Sequence, residues 1–235
     1  MPEKIPTNNS PEFHYEEISN LEKPLKKILE QISGKFEEGE YDLMIGIDAS
    51  GRIPALIIFK VAEHIYQKRK RAVPLFRFVA GDAAPRSELE EVISGWNPRK
   101  KVLIIDDVIQ FGEAISGLVE VLDDLNIQYD VATIDATSYF HDFEEGQRIK
   151  PKNIFSANSS EAYRINRRWY LHGVQTDIDS EGYSKGVFSK RYDKDSRRAE
   201  RDSSRPGTEF KPDSRKDVDL VARHLIDWYE NKNEE

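Results

Sequence analysis

The feature that most constrains this chain is the alternation of short apolar runs with helical repeats between residues 21 and 155. Leu21, Leu25, Ile28, Leu29, Ile32 and Phe36 recur at helical spacing, and Gly39 closes that helix. Tyr41 to Ile47 (YDLMIGI) is an apolar run of strand length. A second helix is predicted from Pro54 to about Lys70, with the proline in its first turn, where a missing N–H does no harm. Val73 to Val79 reads as a strand, Ser87 to Ser94 as a short helix, and Lys101 to Ile105 (KVLII) as the clearest buried strand. Gly112 to Leu125 is then helical, Tyr129 to Ile134 extended, and Asn153 to Phe155 a further short strand. Strands separated by helices join through crossovers, which make neighbouring strands parallel and cover the sheet on both faces. The fold class expected is therefore α/β, a three-layer α/β/α arrangement around a mainly parallel sheet.

The rest of the chain is less apolar. Only 38% of residues are hydrophobic while 33% are charged, so part of the sequence stands outside any core. Residues 1–20, punctuated by Pro2, Pro6 and Pro11, read as a polar arm, and 21–178 as the α/β domain. Residues 179–216 read as a charged linker: its 190–216 portion holds ten Lys/Arg and six Asp/Glu but no Ile, Leu, Val or Met. Such a segment buries too little apolar surface to offset its ordering entropy, so disorder is the expectation. Residues 217–235 recover a helical face through Val218, Val221, Leu225, Trp228 and Tyr229. The chain has no cysteine, which excludes disulfides, thiolate metal sites and cysteine catalysis and favours a reducing, cytoplasmic setting. Neither a membrane-spanning run nor the apolar core of a signal peptide is present, and membrane partners are not expected. His14, His64, His141, His172 and His224 lack metal-ligand spacing, which argues against zinc.

Two strand-to-helix junctions carry the chemistry, because ligands of parallel sheets sit beyond the carboxyl ends of the strands. In the first, Val102 to Ile105 delivers the adjacent carboxylates Asp106 and Asp107, and a loop with Gly112 opens the next helix. Such carboxylates can accept hydrogen bonds from vicinal ribose hydroxyls or reach a magnesium ion. The helix N-terminus presents backbone N–H groups and the positive end of its dipole to a phosphate. In the second, Asp48, Ala49, Ser50, Gly51 and Arg52 lead into the helix at Pro54. Small residues admit close backbone approach, Gly51 permits unusual dihedrals, and Arg52 supplies a fork of donors suited to phosphate oxygens, unless it pairs with Asp48.

Residues 102–115 resemble the phosphoribosyl-pyrophosphate (PRPP) signature of the type I phosphoribosyltransferases: four apolar residues, two acidic, two apolar, then a small phosphate loop. Within that family the motif is most similar to xanthine phosphoribosyltransferases, through Ala114, Gly117 and Leu118 and through Asp48-Ala49-Ser50-Gly51 followed by Pro54-Ala55. The likeness spans roughly residues 21 to 140. It implies a phosphoribosyltransferase that displaces pyrophosphate from PRPP by a nucleobase, purine favoured, with Mg2+ as cofactor, and it is compatible with a homodimer. Asp106 and Asp107 would bind the ribose hydroxyls and the metal. Gln110, Phe111, Gly112, Glu113, Ala114 and Ile115 would hold the 5′-phosphate, and Ala49, Ser50, Gly51 and Arg52 the pyrophosphate. Arg86 would be the basic catalytic residue of a loop between the motifs, at 80–100.

This chain departs from the family pattern in placing Gln110, Phe111 and Ala114 where hydroxyl side chains are usual, and in putting Glu113 in the first helical turn. A carboxylate about 4 Å from a bound phosphate would cost on the order of 1 to 4 kcal/mol unless it points away. Two further readings stay open on the sequence: a non-catalytic nucleotide sensor of the same fold, and an α/β hydrolase using Asp106 or Asp107 as nucleophile. Tyr139 and Phe140 could stack on a base or simply pack. Lys68-Arg69-Lys70-Arg71 reads as a solvated helix end, and nucleic-acid contact is suggested only by the 190–216 segment.

Overall fold

The computed structural model describes residues 13–48, 51–79, 86–94, 101–109, 112–136, 149–158, 174–178, 184–193, 198–201 and 214–232. After a short helix α1 (Glu16–Ser19), helix α2 (Glu22–Glu38) forms where the periodicity places it and buries Leu25, Ile28, Leu29, Ile32 and Phe36. It stops at Gly39, whose left-handed φ of 68° lets its N–H and that of Glu40 return to the carbonyls of Phe36 and Lys35. Strand β1 (Tyr41–Ile47), helix α3 (Arg52–Lys68), β2 (Leu75–Val79), α4 (Arg86–Ser94), β3 (Lys101–Val108), α5 (Glu113–Asp124), β4 (Tyr129–Asp135) and β5 (Ile154–Asn158) follow in alternation.

The five strands make one sheet in the order β2-β1-β3-β4-β5, and every pairing in it is parallel. The α/β/α architecture is the one the sequence pattern implies. Successive residues of β3 serve opposite layers. Leu103 and Ile105 pack with α2, α3 and the terminal helix α6 (Ser214–Lys232), while Val102 and Ile104 pack with α4 and α5. Because β2 and β4 lie on either side of the central β1–β3 pair, the connections leaving β1 and β3 diverge. That divergence makes the carboxyl ends of β1 and β3 the switch point of the sheet.

Three boundaries differ from the sequence reading. Residues 13–19, assigned to the 1–20 arm, belong to the core: Tyr15 and Ile18 are buried there. The terminal helix is not a separate appendage, since Val218, Val221, Ala222, Leu225 and Tyr229 close the layer formed by α2 and α3. Within 179–216, where disorder was expected, β7 (Ser184–Asp193) and β8 (Arg198–Arg201) form strands, and with β6 (Val174–Ile178), which precedes that segment, they pair as an antiparallel three-stranded sheet. Ladder hydrogen bonds are made by the backbone, so charged composition alone does not prevent them. Residues 179–183, 194–197 and 202–213 of that segment lie outside the described residues. Among the described residues no helix is long and apolar enough to cross a membrane.

Polar contacts fasten α6. The buried Asp217 carboxylate accepts the backbone N–H groups of His14 (3.1 Å) and Tyr15 (2.6 Å), tying the two ends of the described chain together. Tyr229 donates to Glu37 at 2.7 Å, and Lys68, at the solvent-exposed end of α3 as expected, also pairs with Glu230 on α6. Arg69, from the same basic run, pairs with Glu37 at 2.6 Å. Burial and the Glu37 carboxylate push the Tyr229 phenol up to about 12.

Two outcomes follow for stability. Asp217→Ala leaves the buried N–H of Tyr15 and the part-buried N–H of His14 without their acceptor and is expected to lower unfolding free energy by about 2–4 kcal/mol, read from urea denaturation. Because the phenol of Tyr229 is raised in the folded state, its contribution is complete below pH about 10, the unfolded value, and is lost as pH rises through about 12. Tyr229→Phe should flatten that part of the stability–pH curve, and an unchanged difference between the two proteins from pH 9 to 12 would contradict it.

Candidate functional site

The switch point is built from backbone more than from side chains. β1 ends at Ile47, Asp48 N–H still bonds Val79 O on β2 at 2.8 Å, and the chain then turns into α3 at Gly51. A Cβ added to Gly51 would lie 2.7 Å from Ile47 O and 3.0 Å from both the Cα and Oδ1 of Asp106. The two junctions singled out in the sequence therefore touch, and only the absence of a side chain lets them. The reason differs from the one expected: Gly51 has φ −74° and ψ −10°, ordinary helical values, so glycine is needed for close approach and not for an unusual dihedral.

Gly112 is needed on both counts. Its φ is +79°, and a Cβ there would fall 2.8 Å from the Ile149 side chain. It caps α5 without a side-chain hydrogen bond, and Gly51 does the same for α3. Two helix N-termini thus begin at the carboxyl ends of β1 and β3 with first-turn N–H groups that no N-cap side chain covers. Ile115 is buried and Ala114 exposed in the first turn of α5. Ala49, Ser50, Gln110 and Phe111 lie outside the described residues, as do Tyr139 and Phe140; the Glu113 backbone opens α5, and its side chain lies outside them too.

The acidic pair is arranged otherwise than as neighbouring ligands. β3 runs on through both residues to Val108, so strand alternation sends their side chains to opposite faces. Asp106 continues the row of Val102 and Ile104; it is 4% exposed, and its Oδ1 accepts the Asp107 N–H at 2.8 Å. Asp107 is half-buried, and its carbonyl receives the Thr133 hydroxyl at 3.0 Å. They do not form a chelating pair on one face, and among the described residues no three His, Cys, Asp or Glu side chains converge as a metal cage. The donor set suits only an ion such as Mg2+ that arrives on ligand phosphates and asks the protein for one or two carboxylates.

The two predicted arginines are both engaged. Arg52 donates Nε to Asp48 Oδ1 (2.6 Å) and Nη2 to Asp48 Oδ2 (2.5 Å), and its guanidinium lies 4.3 Å from the centroid of the Phe78 ring. Arg86, 56% exposed, pairs with Glu90 and with Asp124. Asp124 is the last residue of the 12-residue α5, so this contact sits about 17 Å along the helix from the N-terminus at the site. Arg86 is therefore not a site residue in this arrangement; its location on α4, a helix packed along α5, explains the difference from the loop position expected. Phe78 and Ile149, which shape the site, were not singled out. Phe78 had a signal, the alternation of Phe76 and Phe78 with Leu75 and Arg77 along β2, whereas Ile149 stands alone in the sequence.

The fold and this site define an open parallel α/β domain whose candidate site is formed by backbone at the switch point. Among solved structures, a purine phosphoribosyltransferase from Pyrococcus horikoshii Ot3 resembles the chain with a TM-score of 0.34 and 15% identity, over 56% of this chain and 80% of that one. No family model matches, and no curated protein matches.

Gly51→Ala and Gly112→Ala test the site geometry. Each forces a contact under 3 Å, and an overpacking cost of about 1–3 kcal/mol is expected. Gly112→Ala should be the more damaging, since it also strains a positive φ, and thermal unfolding of the two variants side by side reads the ranking.

Proposed function

We infer that the domain binds the ribose 5-phosphate group of a small molecule at the carboxyl ends of β1 and β3, in the manner of a type I phosphoribosyltransferase. The observation that carries this reading is the contact of Gly51 with Asp106, which unites the two motifs of the resemblance at one point. The uncapped N-termini of α3 and α5 supply N–H groups suited to phosphate oxygens, and a buried strand end supplies acceptors for hydroxyls. In this reading Asp107, the more accessible carboxylate, accepts a ribose hydroxyl, and backbone of Gly112 to Ile115 faces the phosphate. When bound, Mg2+ would neutralise charge on ligand phosphates beside Asp107. The residues of the chain would act by positioning and by excluding water, not by forming a covalent bond. Transfer of the phosphoribosyl group to a nucleobase is the fuller form of the proposal.

A non-catalytic nucleotide sensor is the second reading. It is favoured by the removal of Arg86 from the site and by the pairing of Arg52 with Asp48, which leave the described site without an uncommitted arginine. The hydrolase alternative is disfavoured at Asp106, whose carboxylate is buried and bonded to the neighbouring backbone N–H.

Calorimetric titration with ribose 5-phosphate and with PRPP plus Mg2+ tests the reading. Binding is expected, and Asp107→Asn should weaken it about 10-fold or more, the worth of a charge-assisted hydrogen bond. The Glu113→Thr variant tightens binding if the glutamate faces the phosphate and changes little if it points away. Release of pyrophosphate from PRPP in the presence of a purine separates the transferase from the sensor, and absence of any ribose-phosphate binding removes both.

A further inference from the structure

The register of the small sheet sorts its charges. In an antiparallel ladder, residues directly opposite each other share a face, as do alternate residues along one strand. One face carries Phe188, Lys190 and Tyr192 of β7, with Gln175 opposite Phe188, Arg201 opposite Lys190 and Ala199 opposite Tyr192. The other carries Arg191 and Asp193 of β7, with Glu200 and Arg198 opposite them. On this second face both charged pairs are complementary. On the first, the charged pair of the β7–β8 ladder is of like sign, Lys190 with Arg201. Like charges directly opposite each other destabilise a ladder, and a polyanion laid across them turns that repulsion into attraction. Aromatic residues stand two positions to either side of Lys190, so aromatic and cationic positions alternate over about 13 Å of strand. The acidic residue of this face, Asp177, is opposite Gly186, about 13 Å along the strand from Lys190 and beyond a Debye length at physiological salt. The whole chain carries −8, so diffuse attraction does not hold a polyanion to it, and a local surface must.

We propose that the sheet face bearing Phe188, Lys190, Tyr192 and Arg201 binds single-stranded nucleic acid. Aromatic positions alternating with cationic ones suit a strand whose bases are free to stack while its phosphates meet the ammonium and guanidinium groups. In a duplex the faces of the bases are already covered by their neighbours, so a paired helix gains only from the two cations. An acidic polypeptide likewise gains from the cations and makes no use of the aromatic positions. The surface belongs to a different sheet from the candidate ribose-phosphate site, so the two readings stand or fall separately.

The test is fluorescence anisotropy of the full chain with a labelled dodecameric oligouridylate, alone and paired with oligoadenylate, and with oligoglutamate as competitor. The single strand is expected to bind, and about 5-fold or more tighter than the duplex. Phe188→Val and Tyr192→Val keep residues that favour strands but remove the stacking surface, and each should weaken binding about 5-fold or more. Lys190→Gln combined with Arg201→Gln should weaken it about 10-fold and lower the slope of log affinity against log salt by about 1.4. That double variant removes a like-charge opposition, so it should unfold at no lower temperature than the unmodified protein, which separates lost contacts from lost folding. Arg191→Gln combined with Arg198→Gln removes the same charge from the other face and should change affinity by less than about threefold. No binding of the single strand, a duplex bound as tightly, equal weakening by the two double variants, or no effect of the valine variants overturns the proposal. Oligoglutamate that displaces the strand at equal concentration of charge also overturns it and reassigns the face to an acidic polypeptide.

Discussion

The approach of Gly51 to Asp106 is the constraint on which the rest depends. It fixes the end of β1 against the end of β3, and a side chain at Gly51 would push apart the two central strands of the sheet. Once those ends are held, α3 and α5 must begin at the same edge, and their connections leave in opposite directions. The candidate site is therefore a consequence of packing at the centre of the sheet, and its exposed part is mostly backbone.

The opposite edge of the sheet is held by polar contacts of another kind. The buried Asp130 accepts hydrogen bonds from the Tyr41 hydroxyl at 2.7 Å and from Asn153 at 2.8 Å, linking β1, β4 and the approach to β5. Burial, aided by Asp130, raises the Tyr41 phenol far above its ordinary value, so it stays a hydrogen-bond donor at any accessible pH. Lys101 and Lys35 hold the Glu40 carboxyl below its usual range despite partial burial, a further anchor at the start of β1. On the α2–α3 side, α6 completes the layer, so the chain reaches its full core only when its last described helix docks.

Much of the fold was legible because hydrophobic periodicity is a local signal. Leu25 to Phe36, Tyr41 to Ile47 and Val102 to Ile105 each identified an element, and glycine and proline marked the boundaries at Gly39 and Pro54. The pairing of 184–193 with 198–201 was not legible, because ladder formation depends on where strands meet and not on apolar content. At the site, the residue types were informative but their directions were not. Asp106 and Asp107 read as a pair, yet β3 extends past both, and alternation separates them. Arg86 read as a loop cation because no short-range signal reveals that α5 brings Asp124 beside it.

The sequence alone determined the parallel α/β class, the two strand-to-helix junctions of the candidate site and the exclusion of thiol chemistry, since each rests on composition or on spacing within a few residues. The net charge of −8, with ten Lys/Arg against six Asp/Glu in 190–216, also placed the net acidity outside that segment. Tertiary structure decided where the two candidate arginines settle. Arg52 is drawn to Asp48 and Phe78, and Arg86 to Asp124, because a guanidinium settles where packed elements offer it a carboxylate and an aromatic face. Those partners come from different strands and helices, so no reading along the chain could pair them.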